Sequence, residues 1–104
     1  MEWVANATKI SGRPSVATMS LSGGYTPSVD EAVAALVSSG VPTVVPAGNE
    51  GINATYYSPG SEPSATTVAA SDIDDQIVWN SNKGSGVDIF APGMRCLLAA
   101  LKLT

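Results

Sequence analysis

Asn49 is the residue whose type and setting best suit it to meet a ligand. It follows Gly48 at the end of the apolar run Val41-Pro42-Thr43-Val44-Val45-Pro46-Ala47. A short apolar strand that stops in glycine leaves a side chain at its tip, and an amide there can point two N–H donors outward. The sequence contains no histidine, so any chemistry built around Asn49 must take its proton-transfer group from elsewhere. Ser20-Leu21-Ser22 runs into Gly23-Gly24, where the backbone can turn sharply or let a ligand approach closely. Read alone, Gly48-Asn49 is also an ordinary strand-to-loop turn, since both residues tolerate positive φ.

Other polar and aromatic groups read more plainly. Asp72, Asp74 and Asp75 form an acidic cluster; a solvated loop explains it better than a cation site. Cys96 is the single cysteine, so no internal disulfide or zinc-type spacing exists, and no neighbouring base would activate the thiol. Trp3, Trp79, Tyr56 and Tyr57 read as packing residues or loop anchors. Asn6 and Asn53 begin N-x-Thr triplets, which matter only in a secreted chain.

The elements that must position Asn49 come next. Ser15 to Leu21 reads as a strand. Ser28-Val29-Asp30-Glu31 fits a capping box with Ser28 as N-cap. Val29, Ala32, Val33, Leu36 and Val37 then recur at the spacing of one buried helix face, and Gly40 is the stop. Thr43 to Pro46 is a second strand, apolar enough to suggest cover on both faces of a parallel sheet. Residues 15–47 therefore form a β-α-β unit whose strands end on the same sheet edge, where open parallel sheets bind ligands. That places Ser20 to Ser22 beside Gly48-Asn49 around one crevice. Thr66 to Ala70, Gln76 to Trp79 and Val87 to Phe90 read as further strands. Residues 1–14 show no clear element and end in the turn signal Ser11-Gly12-Arg13-Pro14. The tail from Cys96 to Leu103 is apolar and uncapped.

Composition bounds the class. The 104 residues are enough for one small domain, but with 44% apolar and 13% charged the sequence disfavours disorder and suits an interior slab of an α/β protein more than a free-standing soluble domain. The net charge is −4 and the five Lys and Arg are scattered, which argues against nucleic acid as a partner. No apolar run is long enough to span a bilayer. Met1-Glu2-Trp3-Val4 lacks the basic and apolar regions of a secretory signal. Gly23-Gly24 before a helix invites comparison with a nucleotide site, but no Gly-x-Gly-x-x-Gly pattern is present. Asp30 and Glu31 in the first turn would repel a phosphate.

Five segments together carry a resemblance. Met19-Ser20-Leu21-Ser22-Gly23-Gly24, Val45-Pro46-Ala47-Gly48-Asn49-Glu50, Tyr57-Ser58-Pro59-Gly60-Ser61, Val68-Ala69-Ala70-Ser71 and Val87-Asp88-Ile89-Phe90-Ala91-Pro92-Gly93 stand in the order and spacing of subtilisin-like serine proteases, nearest the proteinase K branch. The resemblance covers about residues 1–97, and residues 98–104 diverge. It implies part of a doubly wound α/β domain with a mainly parallel sheet, incomplete over 1–104, and a secreted family that hydrolyses peptide bonds with an Asp-His-Ser triad. Asn49 falls on the family's oxyanion-hole asparagine. Ser20, Leu21 and Ser22 fall on the strand that pairs with the substrate backbone, and Pro46, Ala47 and Gly48 on the wall of the primary specificity pocket. The implied partner is an extended peptide or protein. No cofactor enters the chemistry, but a structural calcium is implied, held by the carbonyls of Pro63 and Ala65 and by Asp88.

The departures from the family matter equally. The triad needs a base, and the sequence has no histidine. The family's nucleophile sits in a Gly-Thr-Ser-Met-Ala stretch that is absent here. The family often has glycine where Ser22 stands, so a side chain enters the substrate path. The expectation is a protease fragment with substrate-binding and oxyanion elements but no proteolysis of its own. The alternative is a non-catalytic module that captures extended peptides.

Overall fold

The computed structural model describes residues 1–94, and its first element is a helix where the sequence reading offers no clear element. Glu2–Ser11 is helix α1, with none of its residues buried. Trp3 and Ile10 are largely exposed, while Val4, Ala5 and Ala7 are half-buried. Trp3, Ala7 and Ile10 do recur at helical spacing, but the two largest of them are left uncovered by the described residues. Among the described elements the main packing partner of α1 is the second helix.

Strand β1 is Ala17–Thr18, shorter than the expected Ser15 to Leu21. Gly23–Gly24 is a two-residue strand, β2, and not a sharp turn. Helix α2, Pro27–Ser38, carries the apolar face read from the spacing, with Val33 and Leu36 buried. Its start differs from expectation. Thr26 is the N-cap, Pro27 occupies the first turn, and Ser28 makes no cap. Proline fits N1 because its φ is preset and its missing N–H has no helical partner there. Thr26 is held instead by Ser58, whose Oγ accepts from its N–H at 2.8 Å and donates back to its carbonyl. The end matches expectation. Gly40 N–H donates to Val37 O and Val41 N–H to Leu36 O, the paired bonds of a Schellman stop.

Strand β3 is Thr43–Pro46, as expected. A 3-10 turn at Ala54–Tyr56 leads into β4, Tyr57–Ser58, which pairs antiparallel with β2. Strands β5, Thr66–Ser71, and β6, Ile89–Pro92, complete the main sheet in the order β1-β3-β5-β6 with every pairing parallel. Gln76 to Trp79 does not form a strand. It makes one antiparallel bridge, Ser71 to Ile77, after a turn in which Asp75 takes φ 60°. The tail from Cys96 lies outside the described residues.

Beneath the sheet, Val33 of α2 packs with Val45 and Ala65, flanked by Met19 and Val37. Ala47, Ala54 and Ala69 form a second, smaller cluster with Val87 beside it. The apolar run of β3 predicts cover on both faces, but the described residues supply it on one. Thr43, Val45 and Ala47 are buried, whereas Val44 and Pro46, pointing to the other face, are only half-buried. Outer strand β6 leaves Ile89 55% and Phe90 40% exposed. An apolar outer strand is a template for pairing with another chain. Purified residues 1–104 should therefore self-associate. Sedimentation velocity should show species heavier than the monomer growing with concentration, and a sharp monomer boundary across a tenfold dilution would contradict this.

Candidate functional site

Strands β1 and β3 run parallel and end on the same edge, with Ala17 opposite Thr43 and Thr18 opposite Val44. Beyond those tips lies an open cleft of about 390 Å³. Ser20 lines it from the β1 side, and Pro46, Ala47, Gly48 and Asn49 from the β3 side. From there the lining continues across the sheet through Val68 and Ala70 of β5 to Ala91, Pro92 and Gly93 at β6, with Ser81 also contributing. Leu21 and Ser22 stand away from this lining. Leu21 is 59% exposed, and Ser22 instead reaches toward Gly48, where its Oγ would lie 3.3 Å from a β-carbon.

Asn49 is exposed at the cleft mouth, and its side-chain amide makes no hydrogen bond to any described residue. Its N–H donors are therefore available to an incoming oxygen. The residue before it sets its direction. Gly48 is buried with φ 103°, a conformation that side chains resist. A β-carbon on Gly48 would also collide with Asn82 Nδ2 and come within 2.7 Å of Glu50 Oε2. Behind the wall, Gly60 lets a second chain segment approach closely. A β-carbon there would meet Pro46 O at 2.7 Å. Buried Thr67 of β5 holds that segment, donating from Oγ1 to Gly60 O at 3.0 Å.

The residue that sequence reading missed is Asn82. Asn80-Ser81-Asn82-Lys83-Gly84 looks like a solvent turn, yet Asn82 is fully buried. Its Nδ2 donates to Ala47 O at 2.8 Å and to Glu50 Oε2 at 2.7 Å. Its Oδ1 accepts from the N–H groups of Glu50 and Ile52, and its own N–H donates to Gly48 O. These partners lie 30 to 35 residues away in the chain. No local pattern could have separated Asn82 from a wet turn. Ser81 is buried as well, accepting from Ala70 N–H and donating to Asn82 O.

The residues implied for calcium lie near β5. Asp88 Oδ2 accepts from Thr67 N–H at 2.7 Å, which docks the carboxylate two residues beyond Ala65. Pro63 is exposed and lines a separate shallow cleft with Asp30, Glu31 and Glu62. Two carbonyls and a carboxylate are hard oxygen donors, the chemistry that suits calcium. Among the described residues no three carboxylate, thiol or imidazole groups converge as a metal cluster. The acidic group at Asp72 to Asp75 turns inward on itself. Asp72 Oδ1 accepts from the N–H groups of Asp74 and Gln76.

Comparison with known proteins decides the family. The subtilase family profile matches residues 1–103. The chain belongs to the subtilase family. A cuticle-degrading protease of Metarhizium anisopliae is 50% identical over 99 residues, covering 93% of this chain and 26% of that protein. Proteinase R of Parengyodontium album is 48% identical over 95 residues, covering 89% of the chain and 24% of the relative. Among solved structures, a cold adapted subtilisin-like serine proteinase superposes with a TM-score of 0.83 at 42% identity, over 88% of this chain and 33% of its own. The α/β fold with its parallel sheet is thus the subtilase fold in part. This subtilase chain spans about a quarter of the curated relatives it matches. Among the described residues no helix is long and apolar enough to cross a membrane.

Proposed function

We propose that residues 1–104 are the substrate-binding and oxyanion-stabilising portion of a secreted subtilisin-like endopeptidase, and that they hydrolyse nothing alone. One observation carries the reading: the unpartnered Asn49 amide stands over a cleft shared with Ser20 and walled by Pro46, Ala47 and Gly48. An extended peptide would lie along Ser20, Leu21 and Ser22, adding itself as a strand to that exposed backbone. Its side chain would enter the cleft between the strand tips. Asn49 would donate to the carbonyl oxygen as it gains charge, a term that grows in the transition state and so accelerates chemistry.

The general base and the nucleophile must come from outside these residues, which hold no histidine. Calcium, if bound at Pro63, Ala65 and Asp88, would tie the loop before β5 to the approach to β6. It would have no part in peptide cleavage. A chromogenic peptide ester is the test. Purified chain should leave it at the background rate, and turnover that follows the protein through purification would refute the reading. Should peptide bind without turnover, the non-catalytic capture module remains the description of the isolated chain.

A further inference from the structure

We propose that Asn82 is the positioning residue for Asn49, a step that rests on the oxyanion role just proposed. The contrast between the two amides is the argument. Asn49 has no partner among the described residues, whereas Asn82 uses both N–H donors and both acceptor positions of its side chain. Its four bonds reach Ala47 O, Glu50 Oε2, Glu50 N–H and Ile52 N–H, which bracket Asn49 on both sides. A fifth bond, from the Asn82 backbone to Gly48 O, pins the residue immediately before it. Asn82 is 0% exposed, so water cannot replace these bonds without opening the loop. A free donor is useful to a developing oxyanion only if its backbone does not reorganise as charge appears. Asn82 supplies that rigidity from a distant loop without touching the substrate.

Glu50 completes the device. Its exposed carboxylate accepts from Asn82 Nδ2, a charge-assisted bond that fixes which end of the Asn82 amide faces Ala47. Asn82→Asp would put an oxygen against Ala47 O and the Glu50 carboxylate, so it should be worse than Asn82→Ala.

The first test is hydrogen exchange on the dilute chain, read at single amides. In Asn82→Ala, Glu50 and Ile52 should exchange at least roughly tenfold faster, while Ala47, bonded to Val68 O, should hold its rate. Equal acceleration at all three amides, or none at Glu50 and Ile52, overturns the proposal. If Asn82→Ala does not fold, Glu50→Ala removes the Asn82 Nδ2–Glu50 Oε2 bond and leaves both Oδ1 bonds, so Ile52 should exchange faster by a smaller factor, about threefold, with Ala47 unchanged, and no acceleration at Ile52 overturns the proposal.

The second test uses a whole subtilase in which residues 15–93 of this chain replace the matching segment. Asn82→Ala should lower kcat by roughly 10- to 100-fold, the scale of a displaced catalytic group, with little change in KM. In an Asn49→Ala background the same substitution should have almost no further effect, because its action passes through Asn49. A drop that persists in that background overturns the positioning role. Should Asn49→Ala itself leave kcat unchanged, the oxyanion reading fails, and the exchange data still decide whether Asn82 holds the loop.

Discussion

Gly48→Ala will open the loop that carries Asn49, and exchange at Glu50, Ile52 and Asn82 will rise by about two orders of magnitude. Two costs combine. The φ of 103° admits glycine freely but strains an L-residue by roughly 1–3 kcal/mol. The added methyl would also meet Asn82 Nδ2 and Glu50 Oε2, both held by hydrogen bonds. Overpacking of that kind costs about 1–3 kcal/mol more. Because the collision falls on Asn82, the damage should spread to every bond Asn82 makes. Gly23→Ala is the control, since nothing stands within 4 Å of a β-carbon there and its φ is not positive. It should leave exchange at the same three amides unchanged. If Gly48→Ala also leaves them protected, the loop does not have the conformation described.

How far the sequence revealed this site depends on which contacts are local. Helix α2 and strand β3 are legible because their signals are periodic and short-range: Val33 and Leu36 on one face, Gly40 as the stop, Thr43 to Pro46 as an apolar run. The start of α2 departs from its capping-box signal because Thr26 is secured by Ser58, 32 residues away, and not by its own side chain. α1 is harder to read because Trp3, Ala7 and Ile10 repeat at helical spacing over only ten residues, with no cap signal and no fully buried residue on the helix. Gln76 to Trp79 has strand-like composition but meets β5 at a single bridge, and propensity yields to the turn at Asp75. At the site itself, Gly48 and Asn49 stand out by position, while Asn82 is hidden in a run of turn residues. Its hydrogen bonds exist only once β3 and the loop before β6 are brought together. Ser20 lines the cleft, whereas Leu21 and Ser22 do not.

The largest effect on chemistry is expected at Asn49. Removing one preorganised donor from an oxyanion hole costs about 2.7–4 kcal/mol, a range taken from a subtilisin's own asparagine, a member of this same family. The same cost should apply here because the Asn49 amide is free, stands at the cleft mouth, and sits on a loop clamped from both sides. It should fall almost wholly on kcat, since the ground-state carbonyl gains little from a donor aimed at the charged oxygen. The loop should survive, because Asn49 is exposed and its side chain holds no bond within the described residues.

That substitution is also the most direct measurement of the central claim, made in the whole subtilase carrying residues 15–93 of this chain. Asn49→Ala should reduce kcat by roughly 100- to 1,000-fold with KM nearly constant. A kcat within threefold of the parent, in an active and folded protein, would show that the amide at the tip of β3 does not face the reacting carbonyl.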